Sequence, residues 1–163
     1  MKRLTIIRHA KSSWNEPIQD KNRTISNRGR KDIQLVAKEF QKEYVFSNTV
    51  FFCSTAKRAI ETAIIVAEIN NYSVENIIFR DDIYTFDCND LEKVIMNFEN
   101  RYENVILFGH NEAITNFVNK FAAISITNVP TSGLVSIEFE TDNWLEIKNG
   151  IANKVIFPRD MKL

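Results

Sequence analysis

Short apolar runs alternate along this chain with longer stretches in which apolar positions recur every three or four residues. Residues 4–7 predict a buried strand. Ser26 predicts the cap of a helix whose apolar face is Ile33, Val36, Ala37 and Phe40. Residues 49–53 predict a second strand, and the helix after it carries Ala59, Ile60, Ala63, Ile64 and Ala67 on one stripe. Residues 76–79 predict a third strand. Asp90 predicts the cap of a helix that uses Leu91, Val94, Ile95 and Phe98. Residues 104–108, β-branched and aromatic, predict a fourth strand. Ile114, Phe117, Val118 and Phe121 then repeat the helical spacing. The tail changes pattern: residues 134–139 and 144–147 predict strands joined by a turn at Thr141-Asp142-Asn143, with a last strand near 154–157.

Strands alternating with helices predict βαβ units, hence an α/β fold with a mainly parallel sheet and helices on both faces, a three-layer α/β/α sandwich. The chain has 163 residues and no Pro/Gly/Ser linker, repeat or low-complexity segment, which predicts a single domain over 1–163. In such sheets ligands bind outside the carboxyl ends of the strands, near the starts of the helices that follow. Those positions are where candidate chemistry is to be sought.

Composition narrows the function classes. Hydrophobic residues are 44% and charged residues 26%, as in an ordinary globular domain. Lys plus Arg and Asp plus Glu are each 21, so the formal charge is zero and predicts neither nucleic acid nor an acidic membrane surface as a partner. No apolar run approaches the ~20 residues of a membrane-spanning helix. Met1-Lys2-Arg3-Leu4 briefly resembles a secretory n-region, but Arg8 and His9 interrupt the apolar run that follows. The two cysteines, Cys53 and Cys88, are too few for a disulfide framework, so the expected setting is cytoplasmic.

Both of the chain's histidines fall at predicted carboxyl strand ends. The first strand ends in Arg8-His9, the second in Cys53-Ser54 with Arg58 four residues past Ser54, and the fourth in Gly109-His110-Asn111. One such histidine is most simply a hydrogen-bonded core or surface residue. Two of two, each beside a feature suited to anions, favour function. Arg58, one turn into its predicted helix, leans back over the helix start, where free N–H groups and the positive dipole end gather. His110 stands in the same relation to a helix begun by Asn111. Arg8 adds a second fork of donors for phosphate oxygens. A metal site is disfavoured: two imidazoles fall short of the three or four ligands zinc takes, and two guanidinium groups repel a cation. Asp81 and Asp82 match no metal motif.

The segment LTIIRHAKSSW (4–14) resembles the opening strand of the histidine phosphatase superfamily, with Arg8-His9-Ala10 where the signature is Arg-His-Gly. It is similar above all to the SixA-type phosphohistidine phosphatases. The likeness continues through Asp20, Arg23 and Ser26-Asn27-Arg28-Gly29-Arg30, then through CSTAKRAIETA (53–63) against Ser-Pro-x-x-Arg-Ala-x-x-Thr-Ala. Asp82-Ile83-Tyr84, FGHNEAI (108–114), Thr131 to Phe139, Trp144 and Phe157-Pro158 complete it.

The resemblance implies a phosphoglycerate mutase-like fold and a phosphatase with no metal or organic cofactor. It implies that His9 is the nucleophile and carries the phosphoryl group as phosphohistidine, while Arg8, Arg58 and His110 bind the equatorial oxygens. Phosphohistidine of a protein, such as a phosphotransfer domain of a signalling relay, is then the leading substrate. A small phosphorylated metabolite is the alternative, and a non-catalytic phosphate-binding module is the other. Ser12, Lys11, Arg23, Tyr84 and Asn111 are candidate substrate contacts, with solvation or loop fixing as their plainer roles; Asp20 and Arg23 are expected to pair. Trp14 and Tyr84 are expected to pack near the cleft mouth.

Two departures bear on mechanism. Glu112 stands where the family often has proline, and in a first helical turn it complements the dipole. Relatives that act on phosphomonoesters carry a glutamate after the third strand to protonate an alkoxide; here Ile83-Tyr84-Thr85 occupies that stretch. An imidazole leaving group needs little such help, which favours a P–N substrate. Asp82, Asp87 and Glu112 stay open as acids or bases. Cys53 with Arg58 is one residue short of the Cys-x5-Arg phosphatase loop, and a buried strand-end thiol is the expectation.

Overall fold

The computed structural model describes residues 1–14 and 17–161. Six strands, β1 (Lys2–Arg8), β2 (Thr49–Ser54), β3 (Ile78–Arg80), β4 (Asn104–Gly109), β5 (Leu134–Phe139) and β6 (Ile151–Ile156), form one sheet in the order β3-β2-β4-β1-β5-β6. The strands β3, β2, β4 and β1 are mutually parallel, whereas β5 runs antiparallel to β1 and to β6. Four helices, α1 (Asn27–Gln41), α2 (Lys57–Ile69), α3 (Cys88–Met96) and α4 (Ala113–Phe121), alternate with the strands before the antiparallel tail.

Alternation along each strand sorts the core into two halves. Ile7, Phe51, Cys53, Ile106 and Phe108 face α1 and α2, burying Ile33, Val36, Ala37, Phe40, Ala59, Ala63 and Val66. Leu4, Ile6, Phe52, Val105 and Leu107 face α3 and α4, burying Leu91, Val94, Ile95, Ile114, Phe117 and Val118. This is the expected three-layer α/β/α sandwich with a mainly parallel sheet. Near-continuous apolar strands such as FFC and VILF are what a sheet covered on both faces requires.

Several expected details differ. Trp144–Glu146 is a single 3-10 turn rather than a strand. Its apolar character comes from Trp144, which is fully buried and donates its indole N–H to the Tyr102 carbonyl (2.8 Å). The cap of α3 is Asp87, whose carboxylate accepts from Asn89 N (2.8 Å). Asp90 lies inside the first turn and accepts from Thr85 instead (3.1 Å). The third strand starts at Ile78, because residues Val74–Asn76 form a 3-10 turn. On α2, Ile60 and Ile64 are half-buried, and Ile65 and Val66 fill the inner face. Ser26 caps α1 as expected, accepting from Gly29 N (3.0 Å).

The segment after β1 is pinned to α1. Ser26 donates through both its N–H (2.8 Å) and its hydroxyl (3.1 Å) to the Lys11 carbonyl. A Cβ at Gly29 would run into that same carbonyl oxygen, so this approach requires glycine. It fixes the chain immediately beyond His9.

Candidate active site

β1 and β4 are adjacent, and Arg8 lies opposite Gly109 in register. Their successors, His9 and His110, therefore leave neighbouring strands at one height, and His9 N–H donates to the Gly109 carbonyl (3.1 Å). The two imidazole centroids are 5.2 Å apart. Arg58 comes from the next strand over. It is the second residue of α2, earlier than expected, and still lies across both rings. Its Nε is 3.4 Å from His9 Nε2 and its Nη2 is 3.5 Å from His110 Nδ1.

Each histidine is held by its other nitrogen. His9 Nδ1 lies 2.8 Å from the Ala10 carbonyl. A carbonyl accepts only, so the proton sits on Nδ1 and the lone pair of Nε2 points to Arg58. His110 Nε2 lies 2.7 Å from Ser54 Oγ. A guanidinium donates only, so Nδ1 of His110 carries its lone pair and Nε2–H donates to Ser54. Burial pushes the His9 pKa down to about 3, aided by Arg58, Arg8 and Arg23 and opposed by the Ala10 hydrogen bond. Burial, with His9 and Arg58 beside it, pushes His110 down to about 2. Both rings are neutral near pH 7.

Arg8 donates through Nη1 to the Val129 carbonyl (2.9 Å), while its buried Nε has no partner among the described residues. Burial and the nearby Arg58 lower its pKa. Arg23, nearly buried, donates to Ser12 Oγ and to the Asp20 carboxylate (3.0 Å), so the expected Asp20–Arg23 pair is present. Tyr84 brings its hydroxyl 2.5 Å from Asp20 Oδ2, and its ring stands edge-on to His110 at 5.3 Å.

Not every expected contact is gathered in. Lys11 is exposed and its side chain lines a separate groove with Arg28, Asp32 and Arg159. Asn111 is spent on its own loop: its amide donates to Asn128 (2.7 Å) and Val129 (3.3 Å), and its oxygen accepts from Thr115 (3.1 Å). α4 begins at Ala113 rather than at Asn111. Trp14 is 76% exposed rather than packed, with the Arg23 guanidinium 3.6 Å above its ring. Two of the open carboxylates are committed elsewhere, Asp82 to Arg80 (2.9 Å) and Asp87 to the α3 cap. Glu112 is exposed at the α4 N-cap, where a carboxylate complements the dipole. Asp81 accepts from Thr55 (2.6 Å) and Lys21 (3.3 Å). Among the described residues no group of three or more His, Cys, Asp or Glu is placed to hold a metal ion. Cys53 is buried and burial pushes its thiol pKa up, as befits a packing residue.

Sequence reasoning gave no site role to Ser54, Thr62 or Ser132, and gave Asp20 only that of pairing with Arg23; all four shape the pocket. Ser54 orients His110. Thr62 accepts from Ala10 N (2.9 Å) and donates to the Arg58 carbonyl (2.7 Å), joining two site segments. Ser132 N–H donates to the carbonyls of Arg8 and His9 (both 3.1 Å). Asp20 joins Arg58, Arg23 and Tyr84. The first two lie inside the CSTAKRAIETA segment, Ser54 at the end of β2 and Thr62 one helical turn past Arg58.

The family model of the histidine phosphatase superfamily (branch 1) matches residues 4–95, which contain His9, Asp20, Arg23, Ser54, Arg58 and Tyr84 in order. The chain belongs to the histidine phosphatase superfamily. Its fold is similar to the structure of the protein histidine phosphatase SixA complexed with tungstate, at a TM-score of 0.80 and 18% identity over 98% of this chain and 99% of that one. It is also similar to a mycobacterial glucosyl-3-phosphoglycerate phosphatase complexed with VO3, at 0.70 and 12% identity over 94% and 98%. In sequence, phosphoserine phosphatase 1 of Hydrogenobacter thermophilus is 34% identical over 79 residues. That stretch is 45% of this chain and spans about a third, 35%, of the relative. Among the described residues no helix is long and apolar enough to cross a membrane.

Proposed function

We propose that this chain is a phosphatase that transfers a phosphoryl group to His9 Nε2 and then hydrolyses the phosphohistidine. The observation that carries this reading is the lone pair of His9 Nε2, held by the Nδ1–Ala10 hydrogen bond and set beside Arg58 and His110. Burial keeps the ring unprotonated, as a nucleophile must be. The substrate's phosphorus is attacked in line, and the leaving group departs opposite His9. Arg58, Arg8 and Arg23 supply positive charge to the equatorial oxygens, where a water-poor pocket strengthens it. A bound phosphoryl dianion raises the proton affinity of His110, which then donates through Nδ1. Water attacks the phosphohistidine in the second half, and inorganic phosphate leaves.

The leading substrate is phosphohistidine on a protein, such as a phosphotransfer domain. Two features support it. Asp82 and Asp87 are committed to Arg80 and to a helix cap, so neither is poised to protonate an alkoxide. An imidazole leaving group does without such an acid. Exposed aromatic rings also flank the site, Phe86 at 5.4 Å from the His110 ring and Trp14 against Arg23, and such rings suit a protein surface. A small phosphorylated metabolite is the second reading, favoured by the 34% identity to a phosphoserine phosphatase. A phosphate-binding module without turnover is the third, and the oriented His9 lone pair argues against it. The test is one preparation assayed on phosphohistidine protein, phosphoramidate, phosphoserine and sugar phosphates. Highest kcat/KM on the phosphohistidine protein supports the leading substrate; highest on phosphoserine or a sugar phosphate replaces it with the second reading. No turnover on any of them overturns the enzymatic proposal.

A further inference from the structure

Asp20 is tied to the heart of the pocket by five hydrogen bonds. Its Oδ2 accepts from Arg58 Nη2 (3.0 Å) and from the Tyr84 hydroxyl (2.5 Å). Its Oδ1 accepts from Arg23 Nη2 (3.0 Å) and Nε (3.3 Å), and its carbonyl accepts from Arg58 Nη1 (2.7 Å). The same Arg58 Nη2 is the nitrogen that reaches His110. An anionic oxygen thus already sits at the corner between the guanidinium and the second histidine. Nη2 carries two N–H bonds, one turned to Asp20 and the other towards His110, so a phosphoryl oxygen taking the second would lie within a few ångströms of the Asp20 carboxylate, and the two anions would repel.

Burial decides which group gives way. The Arg58 side chain is 2% exposed and the Asp20 side chain 43%. A buried guanidinium left without a counter-ion is costly, so the empty pocket needs an anion of its own. A half-exposed carboxylate can turn to water at little cost.

We propose that Asp20 is an internal anion that holds Arg58 Nη2 between turnovers, yields it to the phosphoryl group of an incoming substrate and reclaims it as inorganic phosphate departs. This rests on the phosphoryl-transfer reading of the pocket. The exchange is of hydrogen bonds, so no covalent bond changes in it. Asp20 lowers affinity for substrate and product alike and speeds product release. A residue that merely positions Arg58 predicts the opposite sign, because its loss weakens oxyanion binding.

The test is calorimetric titration of inorganic phosphate into the whole protein and its Asp20→Asn variant. Asparagine keeps the shape and removes the charge. Phosphate Kd is expected to fall about tenfold or more, the scale of one displaced charge-assisted contact, with KM and kcat both lowered in turnover. An unchanged or weaker Kd overturns the proposal while leaving the phosphatase reading intact. Phosphate that fails to bind the unaltered protein, which also forms no phosphohistidine, overturns both. Thermal melting of Asp20→Ala is the second arm. Without phosphate it is expected to melt below the parent, and phosphate is expected to raise its Tm by more than the parent's. A phosphate-induced rise equal to or smaller than the parent's overturns the proposal.

Discussion

His9 and His110 occupy equivalent places, one residue beyond the paired ends of two parallel strands, and yet are chemically unlike. His9 is anchored through Nδ1 by the carbonyl of the next residue, so Nε2 faces the pocket with its lone pair. His110 is anchored through Nε2 by Ser54 and turns Nδ1 to Arg58. In the proposed reaction one ring attacks and the other donates once an anion arrives. The sheet sets the heights of the two residues, and the nitrogen each surrenders to its anchor sets its role.

If that division holds, removing the two rings has unequal effects. His9→Ala is expected to lower kcat by roughly 10⁵-fold or more, as loss of a nucleophile does, with no phosphorylated protein trapped on acid or base quench. His110→Ala is expected to cost about 10²–10³-fold, the range for one donor to a developing oxyanion, with a phosphoryl group still detectable on His9. Equal losses with no trapped intermediate in either variant would break the distinction. Arg58→Ala is expected to cost about 10²–10³-fold in kcat, the range for one donor to a developing oxyanion, while Arg58→Lys recovers the charge without the span across both rings.

Ser54→Ala sharpens the comparison from the anchor's side. It frees the His110 tautomer and is expected to cost about tenfold in kcat, the worth of one buried hydrogen bond. It leaves the His9 tautomer unaltered, and ¹⁵N shifts of the two imidazoles in the variant check that separately from turnover.

The smallest effect is on pH dependence in the empty protein. Both rings are neutral when folded, at about 3 for His9 and about 2 for His110 against 6.5 for an ordinary histidine. The unfolded chain therefore binds more protons below 6.5, and stability from this source is complete above that value and drains as pH falls towards 3. Asp20 adds to the loss at lower pH. Burial raises its pKa, but the hydrogen bonds from Tyr84, Arg58 and Arg23 outweigh that and hold it at about 2, so its contribution is lost between 3.8 and 2. Imidazole resonances that stay flat from pH 8 to 5 in the free protein, and shift when phosphate is added, are the expected NMR result.

The parallel half of the chain was legible because its strands and helices each carry one clear period. Residues 4–7, 49–53 and 104–108 are apolar but for Thr5, Thr49 and Asn104, and the helices between them show one stripe each. The tail was less so. Residues 144–147 read as a strand because a buried Trp144 and Ile147 mimic a short apolar run, while Asn143 caps a turn there by accepting from Leu145 N (3.0 Å). Asp87 and Asp90 are both acceptable in a first helical turn; Asp87 accepts from Asn89 N and Asp90 from Thr85, local hydrogen bonds that periodicity does not weigh. Within the site, His9, Arg58 and His110 were legible from their strand-end positions. Asp20 was read as half of a loop-fixing pair, since nothing in its spacing tells that a segment 38 residues before Arg58 returns to meet it.

The central claim is that the phosphoryl group rides on His9 and not on its twin. The most direct measurement is to quench the protein during turnover of a ³²P-labelled phosphodonor, cleave it with a protease at alkaline pH and locate the label. An acid-labile, base-stable phosphoryl group on the peptide carrying His9, at Nε2, is the predicted result. Label on the His110 peptide, or on Cys53 and surviving His9→Ala, would contradict it.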